Sequence, residues 1–490
     1  MNKKIIYGIA GVFITLLSLS IISCKKNQVS SPQLTAANIT DSIPAVGGTV
    51  TLSFTCNDTW SIDTTGIGWL QLNIVSGTGG TATINLTAPA NTTGISRSVL
   101  LQLISANGQT RRITVLQIPV IFASFNTSPI APDATGMSST AMQLNANIKM
   151  GWNIWNTMES PGGETGWGNP VITQSLIDTL KKAGFNCIRI PCGYWAQGHM
   201  NKTTGKIDDS WLSRIKQVVQ YCVNDGMYVE INRHHDGNDD FYLTGAKLDS
   251  AKAIHKAVWE QVATTLRDFD EHVMFASLNE PNATDLASIT VLHDFHQIFI
   301  NAVRSTGGKN AYRTLVLQAP NTSIDLANSF APDAIPGLPY DAVPNKLMLE
   351  VHYYTPANFC ILSADASWGT ERYYWGVNLH SLTDTTHNSD AGTEESLVQS
   401  NMQKVKKNFI DKGIPVFIGE FGASYHANHT PTPADSILSL RSVAHFFAEV
   451  VRDARANGVS PVLWGGVINR QTETINDRRS LDSLRSAAGY

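Results

Sequence analysis

Eight short apolar runs recur between residues 149 and 465, and stretches with helical periodicity separate them. The runs cover residues 149–153, 186–191, 228–232, 273–279, 314–320, 347–354, 415–421 and 461–465. Residues 177–183, 211–223 and 398–409 carry apolar side chains at the three- and four-residue spacing of an amphipathic helix. Strands that alternate with helices favour a parallel sheet, so eight such units predict an α/β fold, a (β/α)8 (TIM) barrel with long loops.

A second pattern occupies residues 34–120. Thr, Val, Ile and Leu alternate in runs at 49–54, 82–86, 99–104 and 111–118, and glycine- or asparagine-rich segments separate these runs. Asn107-Gly108 lies between the last two runs and predicts a hairpin with a type I′ turn. The pattern predicts a small all-β, antiparallel, immunoglobulin-like sandwich in front of the barrel.

The remaining segments complete a division into five parts. Residues 1–23 form a leader and residues 24–33 a polar tether, and they are followed by the sandwich at 34–120. Residues 121–137 are rich in Pro, Ser, Ala and Thr, which is typical of a linker, and the barrel takes residues 138–490.

The leader starts with two lysines, continues as an apolar run from Ile5 to Ile22 and ends in Ile21-Ile22-Ser23-Cys24. It resembles a bacterial lipoprotein signal, which implies cleavage before Cys24 and lipidation of that residue. The predicted product is an exported lipoprotein at the outer membrane or cell surface, held to the membrane by acyl chains on Cys24. A short transmembrane anchor is the alternative.

The net charge and the cysteine content limit the kinds of ligand and partner that the chain is expected to bind. The formal net charge is −4 and no long basic run occurs, which argues against a nucleic acid partner. The five cysteines after Cys24 show no CxxC pair and no metal-ligand spacing, so we expect no metal and no cofactor. Most should be small buried residues, although a disulfide stays open in an exported protein. We expect a monomer.

Polar side chains mark the predicted ends of the barrel strands. They are Asn153, Asn156 and Glu159 for the first strand, Arg189 for the second, His234, His235 and Asp236 for the third, Asn279 and Glu280 for the fourth, His352 and Tyr354 for the sixth, Glu420 for the seventh and Trp464 for the eighth. Barrel enzymes place their chemistry at the carboxyl ends of the strands, so these side chains should share one rim.

Two carboxylates on opposite sides of that rim suit glycoside hydrolysis. A retaining enzyme needs its two carboxyl groups about 5–5.5 Å apart, which the ends of strands four and seven allow. We expect Glu280 to be the protonated acid/base and Glu420 the ionised nucleophile, because different environments can separate two carboxyl pKa values. Arg189 and Tyr354 are the expected donors to Glu420, and His352 is the expected neighbour of Glu280.

Residues 138–490 resemble glycoside hydrolase family 5, closest to its subfamily 4. The matching strings lie at 151–159, 166–170, 184–191 and 226–236, and continue with Asn279-Glu280-Pro281, Val351-His352-Tyr353-Tyr354 and Gly419-Glu420-Phe421-Gly422. The resemblance implies a retaining endo-β-1,4-glucanase acting on xyloglucan, mixed-linkage β-glucan or cellulose. Of these substrates we expect xyloglucan first. It implies that Glu280 is the acid/base and Glu420 the nucleophile, that Asn279 contacts the sugar 2-hydroxyl, and that Trp464 stacks beneath the ring. We expect Arg189, His234, His235, His352, Tyr354, Asn156 and Glu159 to support substrate binding.

The N-terminal segment resembles a BACON domain, a module often found beside polysaccharide-degrading enzymes. The matching residues are Asp58-Thr59-Trp60-Ser61-Ile62, Gly68-Trp69-Leu70 and Val115-Leu116-Gln117. Trp60 and Trp69 are interpreted as core residues, with sugar-binding platforms as the alternative, and the domain as a spacer.

The sequence departs from the family pattern at three places. Trp155 stands where the family usually has glycine, so its ring either reshapes the cleft or packs inward. Arg233 replaces an aliphatic residue and should need a carboxylate partner, with Glu230 as the candidate. Gly465-Gly466 follows Trp464 where a polar pair is usual, which alters one end of the cleft.

Two other functions stay open. The chain could be a surface glycan-binding lipoprotein whose barrel has lost catalysis. It could also be a barrel metallohydrolase with His234 and His235 as ligands, although no further ligand pattern follows them. Trp167, Trp195, Trp368 and Trp375 are candidates either for sugar stacking or for packing.

Overall fold

The computed structural model of the chain describes residues 34–490, apart from 37–39, 92, 94–95, 237–247 and 333. The predicted lipoprotein leader and Cys24 lie outside the described residues. In the part that is described, no helix is long and apolar enough to cross a membrane. The chain divides into two units, one made of residues up to Pro89 with Ser98–Leu116, the other of Ala90–Arg97 with Gln117–Tyr490.

The first unit is a β-sandwich of two sheets, with strand orders β1-β3-β7-β5 and β2-β9-β8-β4-β6. Its strands are β1 (Leu34–Ala36), β2 (Thr40–Ser42), β3 (Gly47–Cys56), β4 (Trp60–Asp63), β5 (Gln71–Leu72), β6 (Ser76–Gly77), β7 (Gly80–Pro89), β8 (Arg97–Ser105) and β9 (Thr110–Gln117). Alternation gives each sheet one apolar face: on β7, Ile84 and Leu86 are fully buried while Asn85 between them is exposed. The all-β prediction is confirmed, although the short strand β2 pairs parallel with β9.

The hairpin between β8 and β9 has a different turn from the predicted one. Of Asn107 and Gly108 only the glycine has a positive φ, of 84°, whereas a type I′ turn needs positive φ at both central residues. The Gly108 N–H donates to the Ser105 carbonyl, and the Ser105 N–H to the Gln109 carbonyl, both at 2.9 Å. The loop is therefore one residue longer, with glycine in the left-handed position that closes it.

Trp60 belongs to the sandwich core. Its ring is 4% exposed, meets Phe54 edge-on with 4.8 Å between centroids, and donates from Nε1 to the Thr78 carbonyl at 3.2 Å. A Cβ at Gly77 would lie 2.6 Å from this ring, so the neighbouring strand must carry glycine there. Trp69 is half-buried and packs against the same core. The interpretation of both as core residues fits this packing.

The second unit contains the barrel. Its strands are β10 (Ile130–Pro132), β11 (Gly151–Asn153), β12 (Cys187–Ile190), β13 (Tyr228–Asn232), β14 (Val273–Ala276), β15 (Gly307–Gly308), β16 (Leu315–Gln318), β17 (Leu347–Tyr353), β18 (Val416–Phe421), β19 (Ser460–Leu463), β20 (Ile468–Asn469) and β21 (Thr474–Ile475). Eight of them close in the order β11-β12-β13-β14-β16-β17-β18-β19, every pair parallel. The predicted (β/α)8 barrel is confirmed.

Nine α-helices are described in this unit, and the longer ones cover the outside of the barrel. They are α1 (Ala141–Asn147), α2 (Gln174–Ala183), α3 (Asp209–Asn224), α4 (Leu248–Leu266), α5 (Leu286–Ser305), α6 (Ala357–Cys360), α7 (Glu395–Asn408), α8 (Pro433–Ala456) and α9 (Arg478–Ala488). Helix α2 shows how the sequence sets their ends: the Thr173 side chain accepts from the Leu176 N–H at its start, and Gly184 closes it in the left-handed conformation. Its buried face, Leu176, Ile177 and Leu180, then packs on the strands.

The segment predicted as a linker runs along the barrel unit. Phe122 and Phe125 pack against its core, and the carboxylate of Glu260 accepts from Ser124 Oγ at 2.9 Å and from the Phe125 N–H at 2.8 Å. Strand β10 pairs parallel with β15. Phe122 and Phe125 thus attach this Pro- and Ser-rich stretch to the barrel core, which its composition alone did not indicate.

The five cysteines after Cys24 are all buried and unpaired. They are Cys56 in the sandwich, with Cys187, Cys192, Cys222 and Cys360 in the barrel unit. The prediction of small buried residues is therefore confirmed, and the disulfide that was left open does not occur among them.

Candidate active site

Glu280 and Glu420 meet at the carboxyl end of the barrel. Glu420 lies in β18, and Glu280 follows the end of β14 by four residues. One carboxylate oxygen of each, together with a ring nitrogen of His352, all lie within 4.8 Å of one another. A cleft of about 680 Å³ opens beside Glu280 and is lined by His352, Tyr354, Asn282 and Lys404, among others. The structure thus brings together the two carboxylates that the sequence placed on opposite strands.

Glu420 is held by two donors. Arg189 Nη1 lies 2.7 Å from its Oε1, and the Tyr354 hydroxyl donates to its Oε2 at 2.9 Å. Burial, with the charge of Glu420 next, raises the pKa of the Tyr354 hydroxyl, so this group remains a donor at every working pH. Both donors hold the Glu420 carboxylate in a fixed orientation. These are the two residues that the sequence predicted as its donors.

Arg189 is fully buried among carboxylates and amides. Its Nη1 also donates to Asn153 Oδ1 at 3.0 Å and its Nη2 to Asn279 Oδ1 at 2.8 Å. Its Nε lies 2.8 Å from a Glu230 oxygen and its Nη2 3.1 Å from a Glu350 oxygen. Burial opposes its charge, but the carboxylates of Glu350, Glu230 and Glu420 outweigh burial and raise its pKa. Arg189 therefore fixes Glu420 and Asn279 together.

Glu230 and Glu350 were not among the predicted site residues, and both are fully buried beside Arg189. Burial, and then the charge of Glu350, raises the pKa of Glu230 above its usual range. Glu350 accepts from Gln318 Nε2 at 2.5 Å. A Cβ at Gly419 would lie 1.9 Å from Glu350 Oε1, so the residue before Glu420 must be glycine. Position in the sequence could have revealed both, because Glu230 lies two residues before Asn232 and Glu350 two before His352, on inward-facing positions.

His352 lies between carboxylates. Its Nδ1 is 2.7 Å from Glu280 Oε1 and 3.6 Å from Glu420 Oε2, and its Nε2 is 3.1 Å from Glu350 Oε1. Burial lowers its pKa, but the charge of Glu420 and the hydrogen bonds to Glu280 and Glu350 outweigh burial and raise that pKa to about 10. The imidazole is therefore protonated on both nitrogens at neutral pH.

Glu280 differs from the expectation of a protonated carboxyl. Burial raises its pKa, but the hydrogen bond and the charge of His352 outweigh burial and lower that pKa to about 2. The side chain is 42% exposed, far more than the 7% of Glu420. The charged imidazolium, which the sequence did not reveal, is the physical reason for the difference.

The predicted sugar contacts surround this pair. Asn279 is buried, and within the described residues its Nδ2 donates to no protein atom while its Oδ1 is taken by Arg189. The Trp464 ring is half-buried and stacks on His234, with 5.9 Å between centroids and planes 12° apart. Burial lowers the pKa of His234 well below its usual value, and Asn232 Nδ2 lies 3.1 Å from its Nδ1, which leaves a neutral ring with its proton on Nε2. His235 is exposed beside it, with a φ of 45°.

Asn156 and Glu159 hold a neighbouring loop. Glu159 accepts from the backbone N–H of Asn156 and, at 2.8 Å, from that of Thr157. Burial raises the pKa of Glu159 to about 7. Among the described contacts neither residue touches Glu280 or Glu420, so the structure places both outside the immediate surroundings of these two carboxylates.

The departures from the family pattern have structural explanations. Trp155 packs between Trp152 and Trp464, with centroids 4.9 and 5.9 Å away, and Arg470 lies over its ring at 4.4 Å. The Gly465 carbonyl accepts from Trp152 Nε1 at 2.9 Å. The large ring of Trp155 thus supports Trp464 from the side.

Arg233 has the carboxylate partner that was expected, but the prediction that this partner is Glu230 is wrong. Arg233 Nε donates to Asp236 Oδ2 at 2.8 Å, and both side chains are 1% exposed. Glu230 cannot serve because Arg189 occupies it within the barrel, whereas Arg233 lies past the end of β13 where the chain turns back.

The four loop tryptophans separate into two kinds. Trp375 is fully buried and donates to the Thr393 carbonyl, so it packs, and half-buried Trp195 lies against Phe122 with the Lys202 ammonium 4.0 Å above its ring. Trp167 and Trp368 are 49% and 61% exposed and stay candidates for sugar stacking.

Two carboxylates converge at the carboxyl end of this (β/α)8 barrel. Glu420 is held by two hydrogen-bond donors, and Glu280 lies beside the His352 imidazole. This is the architecture of a glycoside hydrolase. The chain belongs to the cellulase family, glycosyl hydrolase family 5, whose model matches residues 147–466. A BACON model, described as a putative N-terminal binding domain, matches residues 59–117. The predicted family and BACON resemblance are confirmed.

Individual relatives agree with this membership. The xyloglucan-specific endo-β-1,4-glucanase of Bacteroides ovatus is 30% identical, over 97% of this chain and 93% of that protein. The structure of a Bacteroides ovatus family 5 xyloglucanase with a XXXG heptasaccharide superposes with a TM-score of 0.69 at 27% identity, covering 94% of this chain and all of that one. A subfamily 4 broad-specificity endoglucanase of Ruminococcus champanellensis gives 0.58 at 29% identity, over 71% of this chain and 98% of that one. The predicted enzyme class, a glycoside hydrolase of the endo-β-1,4-glucanase type, is confirmed.

Proposed function

We propose that the chain is a retaining endo-β-1,4-glucan hydrolase with Glu420 as nucleophile and Glu280 as acid/base. The observation that carries the proposal is the approach of their carboxylate oxygens to within 4.8 Å. Retaining glycosidases have carboxyl groups about 5–5.5 Å apart, whereas inverting ones need about 6.5–9.5 Å to admit a water. The gap at this rim suits direct attack on a sugar carbon.

The first step makes a covalent intermediate. An ionised Glu420 oxygen attacks the anomeric carbon, the glycosidic bond breaks, and the Glu280 proton passes to the leaving oxygen. Arg189 and Tyr354 hold Glu420 in place for this attack. Water then attacks the glycosyl ester, gives its proton to Glu280 and releases Glu420.

Glu280 must gain its proton when sugar binds. A sugar that covers its 42% exposed side chain removes water from the carboxylate and raises its pKa. After the first step Glu280 is ionised again, and His352 at 2.7 Å stabilises that form, which is the general base of the second step. The His352 imidazolium thus favours the ionised Glu280 that acts as base in the second step. Removal of water by the bound sugar favours the protonated Glu280 that acts as acid in the first step.

Xyloglucan is the first substrate in this proposal. It is supported by the Bacteroides ovatus relative and the XXXG complex, while the Ruminococcus champanellensis structure supports a broader range of β-glucans. Exposed Trp167 and Trp368 add apolar faces on which sugar rings can stack. Mixed-linkage β-glucan and cellulose are the other candidates.

The test is an assay of reducing ends released from xyloglucan, barley-type β-glucan and soluble cellulose by the full chain. NMR of fresh product should show the β-anomer first. Glu420→Ala should abolish release while sugar binding persists, and Glu449→Ala, which removes a carboxylate from α8, should leave it unchanged. Inverted product, or normal activity in Glu420→Ala, would contradict the proposal. Binding without release by the unaltered chain would favour a glycan-binding lipoprotein.

The cell-surface location is part of the same proposal and rests on the sequence of the leader. An enzyme tethered through acyl chains on Cys24 would act on polysaccharide outside the cell. Expressed in a bacterium that processes lipoproteins, the unaltered chain should fractionate with membranes and incorporate labelled fatty acid. Cys24→Ala should lose the label; label retained in that variant would refute the anchor.

A further inference from the structure

Three potential metal ligands from two rim loops converge at a second place in the barrel unit. Glu371 lies between α6 and α7, and His426 and His429 lie between β18 and α8. One ligand atom from each, all three within 4.8 Å of one another, makes up this cluster. We name it the Glu371 cluster.

A tight turn pairs the two histidines. The His429 N–H donates to the His426 carbonyl at 2.8 Å, and the two ring centroids lie 6.1 Å apart. This turn brings one ring nitrogen of each imidazole, together with a Glu371 oxygen, to within 4.8 Å of one another. His426 is 1% exposed, whereas His429 is exposed and has room to adjust.

Polar atoms of the cluster are buried without hydrogen bonds. Glu371 Oε2 and both ring nitrogens of His426 have no hydrogen-bond partner in the described structure. Leaving such atoms unsatisfied costs about 1–3 kcal/mol each, so their burial needs an explanation. The remaining oxygen of Glu371 accepts from the Tyr373 hydroxyl, and the Tyr373 ring stacks on His426 with 4.9 Å between centroids. Tyr373 thus orients both residues toward the shared space.

The spacing of these atoms suits coordination better than direct pairing. His426 Nδ1 and Glu371 Oε2 are 3.4 Å apart but lack the geometry of a hydrogen bond. Ligands at about 2.0–2.1 Å from a tetrahedral zinc ion lie about 3.4 Å from each other. The catalytic trio Glu280, His352 and Glu420 is also within ligand distance, but each of its members is already hydrogen-bonded, so it gives no such indication.

We propose that Glu371, His426 and His429 bind one divalent transition-metal ion, with zinc the first candidate. Two imidazoles and a carboxylate are ligands that zinc prefers, and water can complete the tetrahedron. The ion links the loop at 361–394 to the loop at 422–432, which directly follows the strand of Glu420. The ion has a structural function and takes no part in glycoside cleavage. The proposal therefore differs from the sequence-based expectation that no metal is bound. It also differs from a metallohydrolase, whose ligands would be His234 and His235.

The test is metal binding by the full chain after chelation and dialysis. Titration with zinc chloride should show one equivalent bound, and zinc at about 100 times its Kd should raise Tm by about 3 °C. His429→Ala changes an exposed side chain, so it should fold normally and weaken zinc binding at least 30-fold. Glu371→Gln keeps the shape of the carboxylate and should do the same.

His272→Ala is the matched control, because His272 is a partly exposed histidine paired with Asp270, and within the described residues it belongs to no group of three potential metal ligands. It should leave zinc stoichiometry, affinity and the Tm rise unchanged. The proposal is overturned if the chelated chain binds no zinc and shows no Tm rise, or if His429→Ala and Glu371→Gln bind zinc as tightly as the unaltered chain. These measurements do not use catalytic activity, so they stand or fall independently of the proposed reaction.

Discussion

The inside of the barrel has two layers, supplied by the same strands. Toward the amino ends of the strands the layer is apolar, and toward the carboxyl ends it is charged. On β12, Cys187 in the apolar layer is followed two residues later by Arg189; on β17, Met348 is followed by Glu350. The apolar layer contains Cys187, Met274, Ala276, Val316, Met348, Phe417 and Val462, and the charged layer Asn153, Arg189, Glu230, Gln318, Glu350, His352 and Glu420.

This contrast shows how the barrel separates stability from chemistry. Two residues advance a strand by about 7 Å and return the side chain to the same face, so both layers point inward. Burial of apolar groups stabilises the lower layer, at about 25 cal/mol per Å². The upper layer buries charges at a cost in desolvation that only complete pairing offsets. Substitutions in the two layers should therefore damage different properties.

The largest effect should come from Glu280→Gln, at the rim just beyond the charged layer, where Glu280 pairs with His352. Without the proposed general acid, kcat on polysaccharide should fall by about 10²–10⁴-fold, while the amide keeps the shape of the side chain and Tm stays within about 2 °C of the unaltered chain. Azide should restore part of the activity on an aryl glycoside, because that leaving group needs no proton and azide replaces activated water. Equal losses on both substrates, without azide rescue, would assign Glu280 to structure.

Features that depend on residues close together in the sequence could be predicted, whereas contacts between distant residues were harder to predict. Apolar runs located all eight strands, since a strand buried on both faces is a local pattern. Glu280 and Glu420 were found because strand ends share a rim. The contacts of individual side chains were harder to predict from the sequence. Arg233 pairs with Asp236 because of a turn after the strand, and Glu371 approaches His426 from a different loop. The protonation of His352 depends on three carboxylates from three strands, which only their assembly reveals.

The next effect concerns the stability of the charged layer. Arg189→Met keeps the length of the side chain but leaves Glu230, Glu350 and Glu420 without their cation. Loss of one partner from a buried ion network costs about 3–5 kcal/mol, so the free energy of unfolding in urea should fall by that amount. Activity should fall as well, since Glu420 loses a donor. An unchanged free energy of unfolding would show that Glu230 and Glu350 take up protons at no cost when the cation is removed.

A substitution in the apolar layer should produce the opposite pattern. Met348→Ala removes a fully buried side chain two residues before Glu350 and leaves a cavity. The free energy of unfolding should fall by about 2–4 kcal/mol, while kcat at 25 °C stays within about threefold. Urea unfolding and initial rates on the same preparation measure both. A loss of rate larger than the loss of stability would show that the two layers are mechanically coupled.

The smallest and most specific effect should be a shift in pH dependence when His352 becomes asparagine. His352 is charged at neutral pH because its pKa is about 10, and its charge lowers the pKa of Glu280. Removing that cation raises the pKa of Glu280, so the basic limb of the kcat profile should move up by about one pH unit, even though kcat itself decreases. His234→Asn is the matched control: that ring is neutral, so its loss should weaken sugar binding and leave the limb in place. A limb that stays put or moves down in His352→Asn would mean that hydrogen-bond geometry, and not charge, determines when Glu280 ionises.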